Sequence, residues 1–228
     1  MTHTDDRSLV ERFLDENVLF LGPDPEIMSN HKIAPETPRE AQALAQFTDP
    51  ELTNLVRHKL QTACNESFDM VEQMGAAPGA KWGDLISGVW TASGDLAMSS
   101  VGGVLLFSVL TQHPVKFILK YWANEPTVGI REGDIFMHND ARFGNVHNTD
   151  QSCLMPVFYK GELVAWVGSI IHEGENGACE PGGMPSAAEH PYDEGLKISP
   201  IKVGENFRFR EDLVTYFQNS VRDPKLQL

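Results

Sequence analysis

Between Gly133 and Pro185 the chain gathers His138, Asp140, His147, Asp150 and His172 beside two strongly apolar strand patterns, in GDIFMHNDARFGNVHNTDQSCLMPVFYKGELVAWVGSIIHEGENGACEPGGMP. Imidazole nitrogens and carboxylate oxygens bind divalent metals or move protons, and loops on rigid strands are where such groups usually sit. His147 and Asp150 are separated by two residues within a loop, and His172 closes a later strand. If 152–159 and 163–171 pair through a turn at Lys160-Gly161-Glu162, the hairpin returns the end of the second strand to the start of the first. Two imidazoles and a carboxylate then converge. That donor set suits manganese, iron or zinc, and the lack of a nearby thiolate pair argues against a structural zinc site. The plainer alternative is a hydrogen-bonded His147–Asp150 loop pair beside a strand-end His172, and the residues alone leave both open.

Asp84, which follows Gly83 at the start of an earlier strand pattern, reads by itself as a turn aspartate, with a fourth metal ligand as the alternative. Asn139 and Asp140 are turn formers whose default role is loop architecture. Gly144, Gly182 and Gly183 read as permitting unusual backbone angles, since neither GxxxxGK[ST] nor GxGxxG occurs and no ATP site is read in this chain. Cys153 and Cys179 have no persuasive base partner, so a thiol nucleophile is a minor option. His3, His31, His58, His113 and His190 read as surface or satisfied histidines. Trp82, Trp90, Phe143 and Trp166 read as core, with an aromatic-accepting pocket as the alternative.

These residues must be positioned by the elements around them. Ser8 to Leu21 has apolar residues at helical spacing and stops at Gly22-Pro23. Thr37-Pro38-Arg39-Glu40 reads as a capping box, and Thr48-Asp49-Pro50-Glu51 repeats the signal, with Phe47 and Leu52 placed for a hydrophobic staple. Leu52, Leu55, Val56, Leu60, Ala63 and Val71 then form one stripe ending near Gly75. Beyond Pro78 the pattern turns to strands: Leu85 to Thr91 and Leu96 to Ser99 flank a turn at Ala92-Ser93-Gly94-Asp95. An apolar stretch from Gly102-Gly103 to Trp122 predicts a helix in which Pro114 lies near an N-terminus or causes a break. Asp134 to Met137, Ser152 to Tyr159 and Leu163 to Ile171 read as strands, and the tail from Glu205 returns to a helical pattern. The order predicts an α+β fold, N-terminal helices over 1–76 followed by a mainly antiparallel or mixed β region over 77–228, with a metal site in its loops.

A formal charge of −14 over 228 residues, without a clustered Lys/Arg surface, argues against nucleic acid. The N-terminal MTHTDDRSLVER lacks the apolar core of a signal peptide, and the three cysteines form no CxxC pair, so a reducing, cytoplasmic setting is expected. The longest apolar run, Val101 to Leu110, is about half of the roughly 20 residues a membrane span needs. No membrane insertion is expected.

GDIFMHNDARFGNVHNTD, followed by PVFYKGELVAWVGSIIH and PGGMP, resembles the hydantoinase B/oxoprolinase family. The resemblance lies in the order of its parts: an ND turn after a strand, an HxxD element in a glycine-bearing loop, a PVF strand, a GELV hairpin, a strand-end histidine and a PGSMP-like loop. It runs from about Gly83 to Val203. The GNVH loop is similar to that of the metal-bearing subunits of acetone and acetophenone carboxylases, which implies a small ketone substrate. The resemblance implies metal ligands at Asp84, His147, Asp150 and His172, with manganese first and zinc or iron as alternatives. Where the family has glutamate in GEL, this chain has Gly83-Asp84-Leu85, one methylene shorter. His138, Asn139 or Asp140 would orient the ligands. ATP and bicarbonate would be used by a complex with a hydantoinase A-type ATP-binding subunit and a small accessory subunit, ATP binding on the partner. The family's members are much longer, so a fragment or split subunit, incompetent alone, is expected. Two other roles are compatible with the resemblance: a subunit of an ATP-dependent cyclic amide hydrolase acting on 5-oxoproline or a hydantoin, and a non-catalytic assembly subunit.

Overall fold

The computed structural model describes residues 22–29, 33–34 and 37–227 together with Glu11 and Leu14; most of the Ser8 to Leu21 pattern, and His3 and His31, lie outside the described residues. A short helix α1 (Pro25–Ser29) is followed by α2 (Pro38–Gln46). The expected capping box opens α2: the Thr37 hydroxyl accepts from the Glu40 N–H at 3.2 Å, and the Glu40 carboxylate accepts from the Thr37 N–H at 2.7 Å. The long helix α3 (Pro50–Met74) is capped by Asp49 rather than Thr48, its carboxylate accepting from the N–H groups of Glu51 and Leu52. Proline at the first helical position sets this boundary. Its fixed φ starts the helix, and the residue before it is held extended, which is the cap conformation. Phe47 and Leu52, expected to staple this end, are 43 % and 42 % exposed.

After α4 (Pro78–Trp82) the chain enters a seven-stranded, wholly antiparallel sheet in the order β2-β1-β5-β4-β3-β6-β7. The strands are β1 (Leu85–Thr91), β2 (Leu96–Ser99), β3 (Ile135–His138), β4 (Asp150–Tyr159), β5 (Glu162–His172), β6 (Ile201–Glu205) and β7 (Arg208–Phe209). The expected α+β order holds. The apolar stretch to Trp122 divides at Thr111 into α5 (Leu105–Leu110) and α6 (Gln112–Tyr121), with Pro114 in the first turn of α6, where a missing N–H costs nothing. Two strands, β6 and β7, were not foreseen in the tail. They are short and bear Lys202 and Gly204, so no apolar alternation marks them, and the helical pattern begins only at α7 (Glu211–Ser220). A four-residue α8 (Pro224–Gln227) closes the described chain.

Alternation along the strands gives the sheet two different faces. On one, Ile86, Trp90, Phe136, Leu154, Trp166 and Ile170 pack beneath Phe107 of α5 and Val115 and Ile118 of α6. Trp90, Trp166 and Phe143 are therefore core, as read, whereas Trp82 is exposed. Among the described residues the other face is covered only at its flanks. Phe68 and Val71 of α3 pack on Leu85 and Ile171, while Phe217 of α7 packs on Ile135, Met137 and Val203. Between those helices no described element covers β4 and β5. No described helix is long and apolar enough to cross a membrane.

A candidate metal centre at the end of β4 and β5

The β4–β5 hairpin turns through Lys160 and Gly161, at φ of 52° and 82°; left-handed backbone at both turn positions matches the right-handed twist of the flanking strands. Pairing from Tyr159↔Glu162 without interruption would set His172 opposite Thr149. A bulge between Val157 and Phe158 of β4, against Leu163 to Ala165 of β5, shifts the register by one, so that Asp150 pairs with His172. Asp150 and His172 thus end the strands themselves rather than lying in the adjoining loops.

There the expected cluster forms. The His172 Nδ1 lies 2.7 Å from Asp150 Oδ1, and the His147 Nδ1 lies 3.3 Å from Asp150 Oδ2. The backbone N–H of His147 donates to the same Oδ2 at 2.7 Å. The two rings stand edge to face with centroids 5.5 Å apart, and one donor atom from each of His147, Asp150 and His172 falls within 4.8 Å of the others. Asp150 is completely buried, the His172 side chain is 20 % exposed and that of His147 44 %, so one side of the cluster is open. The hydrogen bond to Asp150 raises the His172 pKa above its ordinary value against the opposing effect of burial, and the charges of Asp150 and Asp84 add to the rise.

Several groups position this cluster. The Asn139 amide donates to the carbonyls of Asn148 and Leu196 and accepts from the Ile198 N–H, tying the loop before β4 to the segment before β6. The Asn148 side chain accepts from the Ala141 N–H and donates to Glu194, and the Asn145 amide donates to the Asp150 carbonyl. Asp140 caps the 3-10 turn at Ala141–Phe143 and makes a two-pronged pair with Arg142. Asn139 and Asp140 thus act as loop architecture. Asn145 and Asn148 escaped the sequence reading, because an asparagine in a loop carries no signal of which carbonyl it will find.

Two glycines fix the approach of neighbouring segments. A Cβ on Gly79 of α4 would lie 2.0 Å from the His172 carbonyl oxygen, so α4 can seat against the end of β5 only with glycine there. Gly183, at φ 75°, lets the PGGMP loop close over Thr149, whose methyl a Cβ would meet at 2.5 Å. Gly144 and Gly182 also have positive φ.

Asp84 takes a different place. Its carbonyl accepts from the His172 N–H at 2.9 Å, continuing the β1–β5 ladder, and its charge reaches His172. Its carboxylate is not part of the group whose donor atoms converge. His138, on β3 opposite Ser152, is fully buried with neither ring nitrogen hydrogen-bonded, and desolvation lowers its pKa to about 4, against the charges of Asp140 and Asp150. The Ser152 hydroxyl facing it is likewise unpartnered. His113 is satisfied by the Leu110 carbonyl at 3.0 Å. Glu173, immediately after His172, points to the other face; burial pushes its carboxyl up to about 8.

An antiparallel sheet flanked by helices, with a two-histidine, one-carboxylate cluster at the end of a central hairpin, defines the class: an α+β protein with a candidate divalent-metal centre. The chain belongs to the hydantoinase B/oxoprolinase family, whose model matches residues 49–228. It is 39% identical over 187 residues, 82% of its length, to the acetophenone carboxylase delta subunit of Aromatoleum aromaticum, of which it covers 26%. A nucleotide-free structure of acetone carboxylase superposes with a TM-score of 0.74 at 28% identity, over 78% of this chain and 23% of that one. An ATP-dependent caprolactamase from Pseudomonas jessenii gives a TM-score of 0.64 at 28% identity, over 78% of this chain and 30% of that one. The chain therefore spans about a quarter of the length of these three relatives.

Proposed function

We propose that this chain is the metal-bearing part of an ATP-dependent ketone carboxylase, with a divalent ion held by His147, Asp150 and His172. The observation that carries the reading is the buried Asp150 carboxylate beneath two imidazoles, in a chain 39% identical to an acetophenone carboxylase subunit. The donor set fits a cation. A carboxylate removed from water needs a compensating positive charge, and its neighbours here are two imidazoles and a backbone N–H. When bound, a divalent ion supplies Lewis-acid stabilisation of negative charge developing on a substrate oxygen. Manganese is the first expectation, with zinc and iron sharing the same donor preference.

The chain's own residues divide the remaining work. Asp150 orients both histidines, one through its Oδ1 and the other through its Oδ2 and the His147 N–H. The exposed edge of His147 leaves the approach from which a small ketone and carbon dioxide, or its activated precursor, reach the centre. Asn139 and Asn148 hold the loop so that this edge stays in place. The ATP-using step is assigned to a hydantoinase A-type partner, with a small accessory subunit completing the complex.

The test is elemental analysis of the chain purified with its genomic neighbours, followed by assay with ketone, ATP and bicarbonate. One equivalent of metal together with bicarbonate-dependent ketone consumption is the expected result; a metal-free wild type would transfer the chain to the assembly-subunit role. The caprolactamase likeness favours one second reading, a cyclic amide hydrolase subunit. Turnover of a lactam or 5-oxoproline with ATP but without bicarbonate would select it.

A further inference from the structure

We infer that the face of the sheet opposite the metal centre receives an apolar helix from the part of the family polypeptide that this chain does not span. The open stretch of β4 and β5 between α3 and α7 is a groove of about 690 Å³, floored by Cys153, Met155, Val167 and Ile171. Its α3 wall is made by Cys64, Ser67 and Val71. The same helix stripe runs on toward the N-terminus through Leu60, Val56 and Leu52, which are 36 %, 41 % and 42 % exposed. The stripe expected from the sequence is thus buried at one end and bare at the other. From Leu52 to Val71 it extends for about 28 Å, the length of a helix of roughly 20 residues. A small molecule would fill the groove and leave the bare half of the stripe in water, whereas a helix laid along α3 covers both.

Two observations narrow the occupant further. Glu173 is 6 % exposed, lines the groove, and has a buried carboxyl oxygen without a hydrogen-bond partner, so the incoming helix carries a hydrogen-bonding group at that point. A second copy of this chain would bring another formal charge of −14 against the first and would present a groove to a groove. The acetophenone carboxylase subunit and acetone carboxylase carry about three quarters of their length outside the matched stretch, and a polypeptide of that kind is the source of the helix. The inference rests on family membership and is independent of the metal reading, because the groove and the metal centre occupy opposite faces.

The test is co-expression of this chain with the portion of the Aromatoleum aromaticum acetophenone carboxylase delta subunit outside the match, capture through a tag on this chain, and hydrogen exchange on the product. A one-to-one complex with slowed exchange at 63–71 and 167–171 is expected. Leu60→Asp and Val167→Asp each lower recovery by about tenfold or more, while circular dichroism and metal content stay as in the wild type. Leu60 and Val167 are each 36 % exposed in the free chain, so both variants are expected to fold. Absence of a complex, recovery unchanged in both variants, or a dimer of this chain alone that the same substitutions dissolve would each overturn the inference.

Discussion

His172 and Asp150 stand directly opposite each other on neighbouring antiparallel strands, with the imidazole Nδ1 2.7 Å from the carboxylate Oδ1. The contact joins strand register to chemistry. If the cluster holds a metal, His147→Ala and His172→Ala each abolish it, while Asp150→Asn lowers metal content and also stability by about 1–3 kcal/mol, since the His147 N–H loses its charged acceptor. Elemental analysis and chemical denaturation of the same three variants check both parts. Retention of metal in either histidine variant would remove that residue from the ligand set.

Asp84 is proposed to tune the centre from beside it rather than to bind the ion, because its contribution to the ladder is a backbone carbonyl and its carboxylate stands apart from the converging atoms. Asp84→Asn is expected to keep the metal and weaken its binding by less than about tenfold, within the range seen when an outer group is changed. Complete metal loss in this variant would make Asp84 a ligand, as the family resemblance implies.

Gly79→Ala places a methyl against the His172 carbonyl. A backbone atom cannot swing aside as a side chain can, so α4 must lift from the strand end, at a cost of about 1–3 kcal/mol. Thermal unfolding should show the loss, and metal affinity should fall with it. Wild-type stability in this variant would show that α4 is not seated as described.

Asp24 gives an acid limb far from the metal centre. Burial acts to raise its pKa, but hydrogen bonds from Lys120, Tyr121 and the N–H groups of Ile27 and Glu26 outweigh it and lower the value from 3.8 to about 2. A carboxyl held low in the folded state stabilises above its unfolded pKa, and that contribution fades as pH falls from about 4 to about 2. Asp24→Asn should cost about 1–3 kcal/mol at neutral pH and flatten the stability curve across that window. An unchanged acid limb would contradict the assignment.

The cysteines divide by exposure. Burial pushes the Cys153 thiol up to about 11 and raises that of Cys64, whereas Cys179 is exposed. At pH 8 only about a thousandth of Cys153 would be thiolate. Iodoacetamide should therefore modify Cys179 first, Cys153 on the groove floor far more slowly because it is held as the thiol, and buried Cys64 only on unfolding; equal rates at Cys153 and Cys179, read by peptide mass spectrometry, would contradict the raised thiol pKa.

Much of the fold was legible because its signals are local. Thr37 with Glu40, the Ala92 to Asp95 turn and the Lys160-Gly161 turn each act through residues a few positions apart, and each lies where expected. The α3 cap moved by one residue because Pro50 fixes the helix start more strictly than Thr48 attracts it. The convergence of His147, Asp150 and His172 could be anticipated from the hairpin, but the pairing of Asp150 with His172 depends on a bulge that no residue type announces. β6 and β7 carry no such signal, because β6 is held by pairing with β3, a partner some sixty residues away, and the two-residue β7 by pairing with β6, rather than by their own composition.

The alternation of β4 and β5 has an evolutionary corollary. Asp150, Ser152 and Leu154 face one way while Gln151, Cys153 and Met155 face the other, and the same holds for Ile170 and His172 against Ser169 and Ile171. On the side of the bulge nearer Asp150 and His172, selection can therefore rewrite the odd-numbered positions of the hairpin without touching the candidate centre at the even ones; beyond the bulge the parity reverses on β5, where Leu163 packs on the core. The two inheritances share one backbone, and an insertion or deletion of a single residue is the change that would exchange them.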